Sequence, residues 1–307
     1  METFYSHGKL LISSEYAVLD GAQALALPTK FGQTLNVESV SGAIINWKSI
    51  SSNGKTWFET QFSIDNNLKI SCKNSSEIAL RLLQVLEAMQ QLNPAIFKRN
   101  IDFNITSTLE FPENWGLGSS STLINNLSQW AKVNAFKLLD LTFGGSGYDI
   151  ACAQNDTAIL YQLSAGIPLI SPVSFAPEFS SSLFFIHRNQ KQNSREGITA
   201  YKKSTNHKIV DYNKINGLTL KLLNCSDINA FNIYIEKHED YIGSLLEQTP
   251  LKKALFSDYD GAIKSLGAWG GDFFLATGNS NSMDYFKSRG YTTIIPFSEI
   301  ILSLIHI

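Results

Sequence analysis

The chain of 307 residues has few cysteines, little net charge and no long apolar run, and each shortage excludes a class of protein. An odd number of widely spaced cysteines predicts reduced thiols and a cytoplasmic setting rather than a disulfide framework: Cys72, Cys152 and Cys225. A net charge of −2 provides no general attraction to nucleic acid or to an anionic membrane surface. We therefore expect neither as a partner, and we expect a monomer or a homodimer.

Membrane and targeting segments are also absent from the pattern. No apolar run reaches the length of a bilayer-spanning helix, and the chain does not open on a basic stretch followed by an apolar one. We expect no secretory signal and no membrane segment. The apolar tail, residues 300–307, is predicted to pack as a final strand or helix. The histidines lack the spacing of metal ligands: His7, His187, His207, His238 and His306.

The composition indicates a globular protein of mixed α and β structure. Hydrophobic residues make up 44% of the chain and charged residues 17%, and the length allows two lobes with a sizeable buried core. Apolar alternation and short apolar runs predict strands at residues 35–40, 44–47, 56–64, 101–105, 183–187, 218–223 and 273–277. Helical spacing predicts helices over residues 76–93, with Ser75 or Ser76 as the cap, and from Asp227 onward.

The most informative segment is Pro112-Glu113-Asn114-Trp115-Gly116-Leu117-Gly118-Ser119-Ser120-Ser121, here named the second motif. Its glycines let the backbone approach a ligand closely, and its serines open a helical pattern. A glycine turn that enters a helix N-terminus is an anion site, because unpaired N–H groups and the helix dipole point at the ligand. The segment therefore predicts a phosphate site, with an ordinary capped turn as the alternative. It is not a P-loop, since no lysine follows the second glycine.

Three further segments accompany the second motif. The first motif runs from His7 to Ala22 and contains Gly8-Lys9 and Glu15-Tyr16. The aspartate segment is Gly144-Gly145-Ser146-Gly147-Tyr148-Asp149-Ile150-Ala151. The third motif is Lys264-Ser265-Leu266-Gly267-Ala268-Trp269-Gly270-Gly271-Asp272-Phe273. Together, and in this order, the four segments resemble the motifs of the GHMP kinase superfamily, which includes galactokinase, homoserine kinase, mevalonate kinase and phosphomevalonate kinase. The aspartate segment also matches the subgroup named for its Gly-Tyr-Asp-Ile-Ala signature.

The resemblance implies an α+β fold of two lobes. It predicts an N-terminal ribosomal-protein-like lobe over residues 1–165, which binds the nucleotide, and a C-terminal ferredoxin-like lobe over residues 166–307. The active site would lie in the cleft between them. Strand and helix patterns along the chain agree with this order of elements.

The resemblance also implies ATP and Mg²⁺ as cofactors and assigns residues to them. The second motif would hold the ATP phosphates through Gly116, Leu117, Gly118, Ser119, Ser120 and Ser121, with the Ser120 hydroxyl near the metal. Asp149 would take the proton of the substrate hydroxyl or orient that hydroxyl, and Lys9 would compensate charge nearby. Glu15 would lie near the nucleotide, with a structural ion pair as the alternative. The resemblance further implies that the substrate is bound by Ser146, Gly147, Gly267, Gly270 and Gly271.

The chain departs from the family pattern at three places. Leu138 stands where mevalonate kinases carry a glutamate that helps to hold Mg²⁺, so either Asp140 replaces it or Ser120, phosphates and water hold the metal. Trp269 stands where a glycine is usual in the third motif, which would stiffen the loop or allow stacking on a ligand. Trp115 in the second motif would stack on adenine or pack between the lobes.

The predicted activity is that of an ATP-dependent small-molecule kinase acting on a mevalonate-pathway intermediate, mevalonate or phosphomevalonate. Glu15-Tyr16 and Ser146-Gly147-Tyr148-Asp149 are more similar to phosphomevalonate kinases, whereas the length is closer to a compact mevalonate kinase. Cations for a phosphorylated acceptor, or else a solvated loop, are predicted at Arg188, Lys191, Arg195, Lys202 and Lys203. The alternatives are a diphosphomevalonate decarboxylase and a catalytically inactive binding protein.

Overall fold

The computed structural model describes residues 1–42, 44–97, 101–190, 194–203, 210–269 and 271–302. Its contacts divide the chain into two compact units, and neither unit is continuous in sequence. The first unit comprises residues 1–8, 31–113 and 118–154, and the second comprises residues 9–30, 114–117 and 155–307. The lobe boundary near residue 165 stays a prediction.

Strands and helices follow one another along the described chain, so the fold class is α+β as expected. The strands are β1 (Glu2–Leu11), β2 (Ala24–Ser41), β3 (Ile44–Ile50), β4 (Thr56–Ile64), β5 (Ile70–Cys72), β6 (Ile101–Leu109), β7 (Ile159–Ser164), β8 (Ile167–Pro172), β9 (Leu183–His187), β10 (Ile263–Ser265), β11 (Phe273–Thr277) and β12 (Ile294–Pro296). The helices are α1 (Glu77–Leu92), α2 (Ser119–Ala131), α3 (Ala135–Thr142), α4 (Tyr148–Ala153), α5 (Ser194–Lys203), α6 (Tyr212–Leu223), α7 (Ile228–Leu246), α8 (Leu251–Leu255), α9 (Met283–Lys287) and α10 (Phe297–Ile300).

The first unit is a sheet whose core is closed by helices. Its strands lie in the order β5-β4-β3-β6-β2, with β3 and β4 forming the predicted early hairpin and β3 running parallel to β6. The part of β2 in this unit pairs with β6 from Gln33 to Ser41. Side chains of α1, α2 and α3 join the sheet in one apolar cluster, including Leu86, Trp130 and Leu138. Ser76 caps α1 and accepts a hydrogen bond from the Ala79 amide, as its sequence position predicts.

The second unit contains two sets of paired strands. Residues Ala24–Ala26 of β2 pair with β7, and β7 pairs with β8. A separate antiparallel sheet has the order β10-β11-β9-β12. Its strands β9 and β11 are buried along their whole length, as their apolar runs predict. The ferredoxin-like description of this region stays a prediction.

One secondary-structure prediction is wrong. Residues 218–223 form the end of α6 rather than a strand. The helix begins after Asp211, whose side chain accepts a hydrogen bond from the Lys214 amide. Ile215, Leu218 and Leu222 are buried at helical spacing. The buried face of α6 therefore begins at Ile215, before the apolar run of residues 218–223 from which the strand was predicted.

The structure describes part of the final segment of the chain. Residues 297–300 form α10, and Ile301 makes an isolated bridge to Thr29. The rest of the predicted final element, residues 303–307, lies outside the described residues. Within the described ranges, no helix combines the length and apolar character needed to cross a membrane.

Candidate active site

The last residues of the second motif form the N-terminus of α2, where backbone amides can bind an anion. Gly118 is the N-cap of α2, has a φ of +91° and provides no side-chain cap. The Thr122 amide donates the first intrahelical bond, to the Gly118 carbonyl at 2.9 Å. The amides of Ser119, Ser120 and Ser121 therefore precede the hydrogen-bond ladder of the helix. Ser120 is exposed and its two neighbours are half-buried, so the first turn of α2 is accessible to solvent. This donor set fits a phosphate group, and the Ser120 hydroxyl is an oxygen ligand of the kind that Mg²⁺ prefers.

Lys9 holds the part of the second motif that lies in the second unit. The Lys9 amide donates to the Leu117 carbonyl at 2.9 Å, and its ammonium donates to the Gly116 carbonyl at 3.1 Å. Leu117 is fully buried, which fixes the residue immediately before Gly118. The first and second motifs are thus joined at Lys9 within the second unit.

The aspartate segment is a glycine turn that leads into a short helix. Gly144, Gly145 and Gly147 all have positive φ values, a conformation that a residue without a Cβ adopts at little cost. Ser146 is buried within this turn. Asp149 is half-buried in the first turn of α4, where the helix dipole favours a negative charge.

Helix α4 packs against α2 within the first unit. The Gln154 side chain, which follows α4, donates to the Asn125 side chain of α2 at 2.9 Å. The predicted base and the predicted phosphate-binding serines are therefore carried by two helices that pack together.

Glu15 lies in a buried ion pair. Its side chain is fully buried and accepts a hydrogen bond from the ammonium of Lys264, which is the first residue of the third motif. Lys264 also donates to Glu239 at 3.1 Å and to the Ser265 carbonyl at 2.8 Å. The structural alternative for Glu15 is thus present, and a carboxylate with no exposed surface favours it over contact with a nucleotide.

The buried cluster of Glu15, Glu239 and Lys264 contains two carboxylates and one ammonium. His238, on α7, accepts the Ser14 amide at its Nε2 atom, 2.9 Å away, and lies 3.8 Å from the Glu15 Oε2 atom. Among the described residues, neither Glu15 Oε2 nor His238 Nδ1 has a hydrogen-bond partner. Burial and the charge of Glu239 raise the pKa of Glu15 to about 7, against the lowering effect of Lys264. Burial, and then the charge of Lys264, hold the pKa of His238 well below its usual value.

The third motif is mostly buried. Trp269 is buried with a φ of +48°, and Gly267 has a φ of +59° with open space at its missing Cβ. Gly271 is buried, whereas Gly270 lies outside the described residues. A Cβ atom added to Gly116 would overlap the side chain of Asp272, so the second and third motifs meet in the second unit.

Trp115 packs on the second unit's antiparallel sheet. Its ring lies 5.4 Å from the Phe273 ring at an interplanar angle of 90°, and 6.5 Å from the His187 ring. The His187 Nε2 atom is also 3.1 Å from the Asn114 carbonyl. These contacts give Trp115 a packing role, and its contact with adenine stays a prediction.

Comparison with known proteins shows the fold. No family model and no curated protein matches the sequence. Solved structures do match: the Methanococcus jannaschii mevalonate kinase has 14% identity, a TM-score of 0.69, and coverage of 96% of each chain. The Streptococcus pneumoniae phosphomevalonate kinase in complex with phosphomevalonate and AMPPNP has 16% identity and a TM-score of 0.65, with coverage of 96% of this chain and 99% of that one. The Lactococcus lactis galactokinase complexed with galactose has 13% identity and a TM-score of 0.67, with coverage of 96% and 93%. The chain has the GHMP kinase fold.

Within the GHMP kinase fold, position 138 is a core position in this chain. Leu138 is fully buried in the apolar cluster of the first unit. Asp140 lies two residues further along α3, so it projects from another side of the helix, and it is exposed. It does not take the place of Leu138. Across the described part of the chain, no three or more His, Cys, Asp or Glu side chains form a group able to hold a metal ion. The alternative that relies on Ser120, phosphates and water stays a prediction.

The predicted cations for a phosphorylated acceptor are only partly described. Lys202 and Lys203 are exposed in the last turn of α5. Arg188 follows β9, and its amide donates to the Asp272 carbonyl at 2.7 Å. Lys191 lies outside the described residues. A solvated surface therefore accounts for Lys202 and Lys203.

Sequence reasoning missed two residues of this region, Glu239 and His238. Both are buried on α7 and contact the first or the third motif. The only signal in the sequence is a pair of polar residues inside an amphipathic helix, which is more typical of a solvated face.

We predict that Gly116→Ala destabilises the protein more than Gly54→Ala does. Both glycines have positive φ values, so each alanine carries backbone strain of about 1–2 kcal/mol. Only at position 116 does the added Cβ also overlap a side chain, that of Asp272, whereas position 54 has no atom within 4 Å. Denaturant unfolding of the two variants measures the difference, and equal losses of unfolding free energy would show that Asp272 does not restrict position 116.

We predict that Glu15→Gln removes a pH dependence of stability. With its pKa raised, the folded state keeps the Glu15 proton longer than the unfolded state does. Stability from this group is therefore lost as the pH rises from about 4.5 to about 7, with a slope of up to about 1.4 kcal/mol per pH unit. Unfolding free energies of wild type and variant, subtracted at each pH, measure the contribution of Glu15 together with its coupling to His238, 3.8 Å away. A flat difference curve over this range would contradict the prediction.

Proposed function

We propose that this chain is an ATP-dependent small-molecule kinase of the GHMP type. It transfers the γ-phosphoryl group of Mg-ATP to a hydroxyl or phosphate of its acceptor. The observation that carries the proposal is the packing of α4 against α2. One helix opens with serine amides that fit phosphate, and the other carries Asp149 in its first turn.

The side chains and amides of this chain have separate tasks in that reaction. Phosphoryl transfer requires positioning and charge neutralisation more than covalent chemistry from the protein. The amides of Ser119, Ser120 and Ser121 would bind phosphate oxygens, and the Ser120 hydroxyl would be an oxygen ligand for the metal. Bound Mg-ATP supplies the phosphoryl group and a divalent charge. Asp149 orients the attacking oxygen of the acceptor and, where that oxygen belongs to a hydroxyl, takes its proton; Lys9 provides a positive charge beside the glycine turn.

The proposed acceptor is a mevalonate-pathway intermediate, mevalonate or phosphomevalonate. Support comes from the similarity of the aspartate segment to that of phosphomevalonate kinases. The Tyr16 hydroxyl donates to the Ala268 carbonyl at 2.9 Å and the ring is buried, so Glu15-Tyr16 supports the fold of the site rather than direct acceptor contact. Position 138 is apolar, and an inactive binding protein is therefore the second candidate.

The deciding experiment measures ADP release from Mg-ATP with mevalonate, phosphomevalonate, diphosphomevalonate, galactose and homoserine, and identifies each product by mass. We expect mevalonate or phosphomevalonate to gain one phosphate. Loss of carbon dioxide from diphosphomevalonate would instead identify a decarboxylase. Tight ATP binding without turnover across the panel would support the inactive binding protein.

We predict that Asp149→Asn lowers kcat by about 10²- to 10⁴-fold, the usual contribution of a positioned general base. ATP binding changes little, because the variant keeps the serine amides and the size of the side chain. The control is Asp284→Asn, which changes an exposed aspartate at the start of α9. Rates measured at saturating ATP and acceptor test this, and an Asp149→Asn enzyme as fast as the control would remove Asp149 from the mechanism.

A further inference from the structure

Glu239 joins α7 to the strand and loop of the third motif. Its Oε1 atom accepts from the Lys264 ammonium at 3.1 Å and from the Trp269 indole N–H at 3.2 Å. Its Oε2 atom accepts from the Ser265 hydroxyl at 2.8 Å. One buried carboxylate therefore receives three donors from a segment of six residues. Such charge-assisted bonds in a buried site fix the geometry of the groups that make them.

Trp269 adopts a conformation that requires this support. Its φ of +48° lies in the left-handed region, which costs a bulky residue energy that glycine avoids. A strained conformation persists only where its surroundings determine it. The bond from the indole N–H to Glu239 is one such determinant.

Packing on the same face of α7 is the second determinant. The Trp269 ring is buried in a cluster that includes Ile242 and Leu245. A Cβ added to Gly243 would lie 2.7 Å from the Gln248 carbonyl oxygen and 3.2 Å from the Trp269 Cη2 atom, so this glycine leaves room for the chain that follows α7 and for the ring. Glu239, Ile242 and Gly243 are three and four residues apart and share one helix face. The helix thus offers a bond, an apolar contact and a space to one side chain.

The neighbouring residue extends the same support to the first motif. His238 accepts the amide of Ser14, which has a φ of +63°, and Lys264 bonds Glu15. Tyr16 completes the connection by donating to the carbonyl of Ala268. Loops of the first and third motifs are therefore held against one turn of α7.

We propose that Glu239 is a positioning residue, which holds the third motif in the conformation that the site uses. It acts through Trp269, Ser265 and Lys264 and touches no reacting group. The role of this loop in positioning a substrate rests on the proposed kinase function. The bonds by which Glu239 holds the loop do not depend on that function.

Hydrogen exchange and kinetics of Glu239→Gln test the proposal. The amide side chain keeps the shape of the residue but loses the charge that Lys264 and Trp269 bond. We expect amide exchange in residues 264–269 to accelerate by about tenfold, as local opening becomes easier. With the acceptor found in the panel, kcat/KM falls by about tenfold or more, because a displaced loop misplaces the substrate. The control is Glu236→Gln, on the same helix but exposed and paired with Lys252, for which neither quantity changes.

A second variant covers the case in which Glu239→Gln does not fold. Trp269→Phe keeps an aromatic ring but cannot donate to Glu239, so exchange in residues 264–269 should accelerate here as well. Unchanged exchange in the variants that fold would overturn the proposal, as would faster exchange in an active enzyme whose kcat/KM equals that of Glu236→Gln. An enzyme inactive on every acceptor would count against the proposed function, and exchange alone would then decide the role of Glu239.

Discussion

The ion pairs of the buried Lys264 ammonium are the interaction on which the first and third motifs of the second unit depend. A charge without water is costly, and this one is stabilised by Glu15, Glu239 and a backbone carbonyl. Removing the Glu239 carboxylate from this ammonium leaves a buried charge poorly compensated, a change that typically destabilises a protein by about 3–5 kcal/mol. The first motif, α7 and the third motif are thereby connected through one buried group.

Glu239, one partner of Lys264, also bears on a departure from the family pattern, the tryptophan at position 269. In the third motif, a tryptophan in place of glycine would be unfavourable by itself, because its backbone is left-handed. Here Glu239 and the space at Gly243 receive the indole, so the larger residue becomes part of the buried core. The burial of Trp269 favours packing in the core over stacking on a ligand.

In the first unit, a polar network has a comparable role for α2. The Ser6 hydroxyl donates to the Asn126 side chain at 2.7 Å, and Asn126 donates to the Gln33 carbonyl at 2.8 Å. Thr122 bonds the Gln33 side chain in turn. Fully bonded buried amides fix a helix in one register, since any shift would leave a polar group without a partner. The serines at the start of α2 are thus held by their own helix and its contacts with β1 and β2.

The sequence by itself determined the segments where backbone conformation and local periodicity decide the outcome. The glycine turns before Ser119 and Asp149, the cap at Ser76 and the strand at residues 273–277 all follow from short-range rules, and the four motifs led to the correct fold. Residues 218–223 were predicted wrongly because a short apolar run fits a strand or a buried helix equally well. Only the tertiary structure decided that Leu138 is a core residue, that Glu15 pairs with Lys264 and that Glu239 holds Trp269. Those partners are distant in sequence, and which buried charges meet depends on the packing of whole elements, which no local pattern encodes.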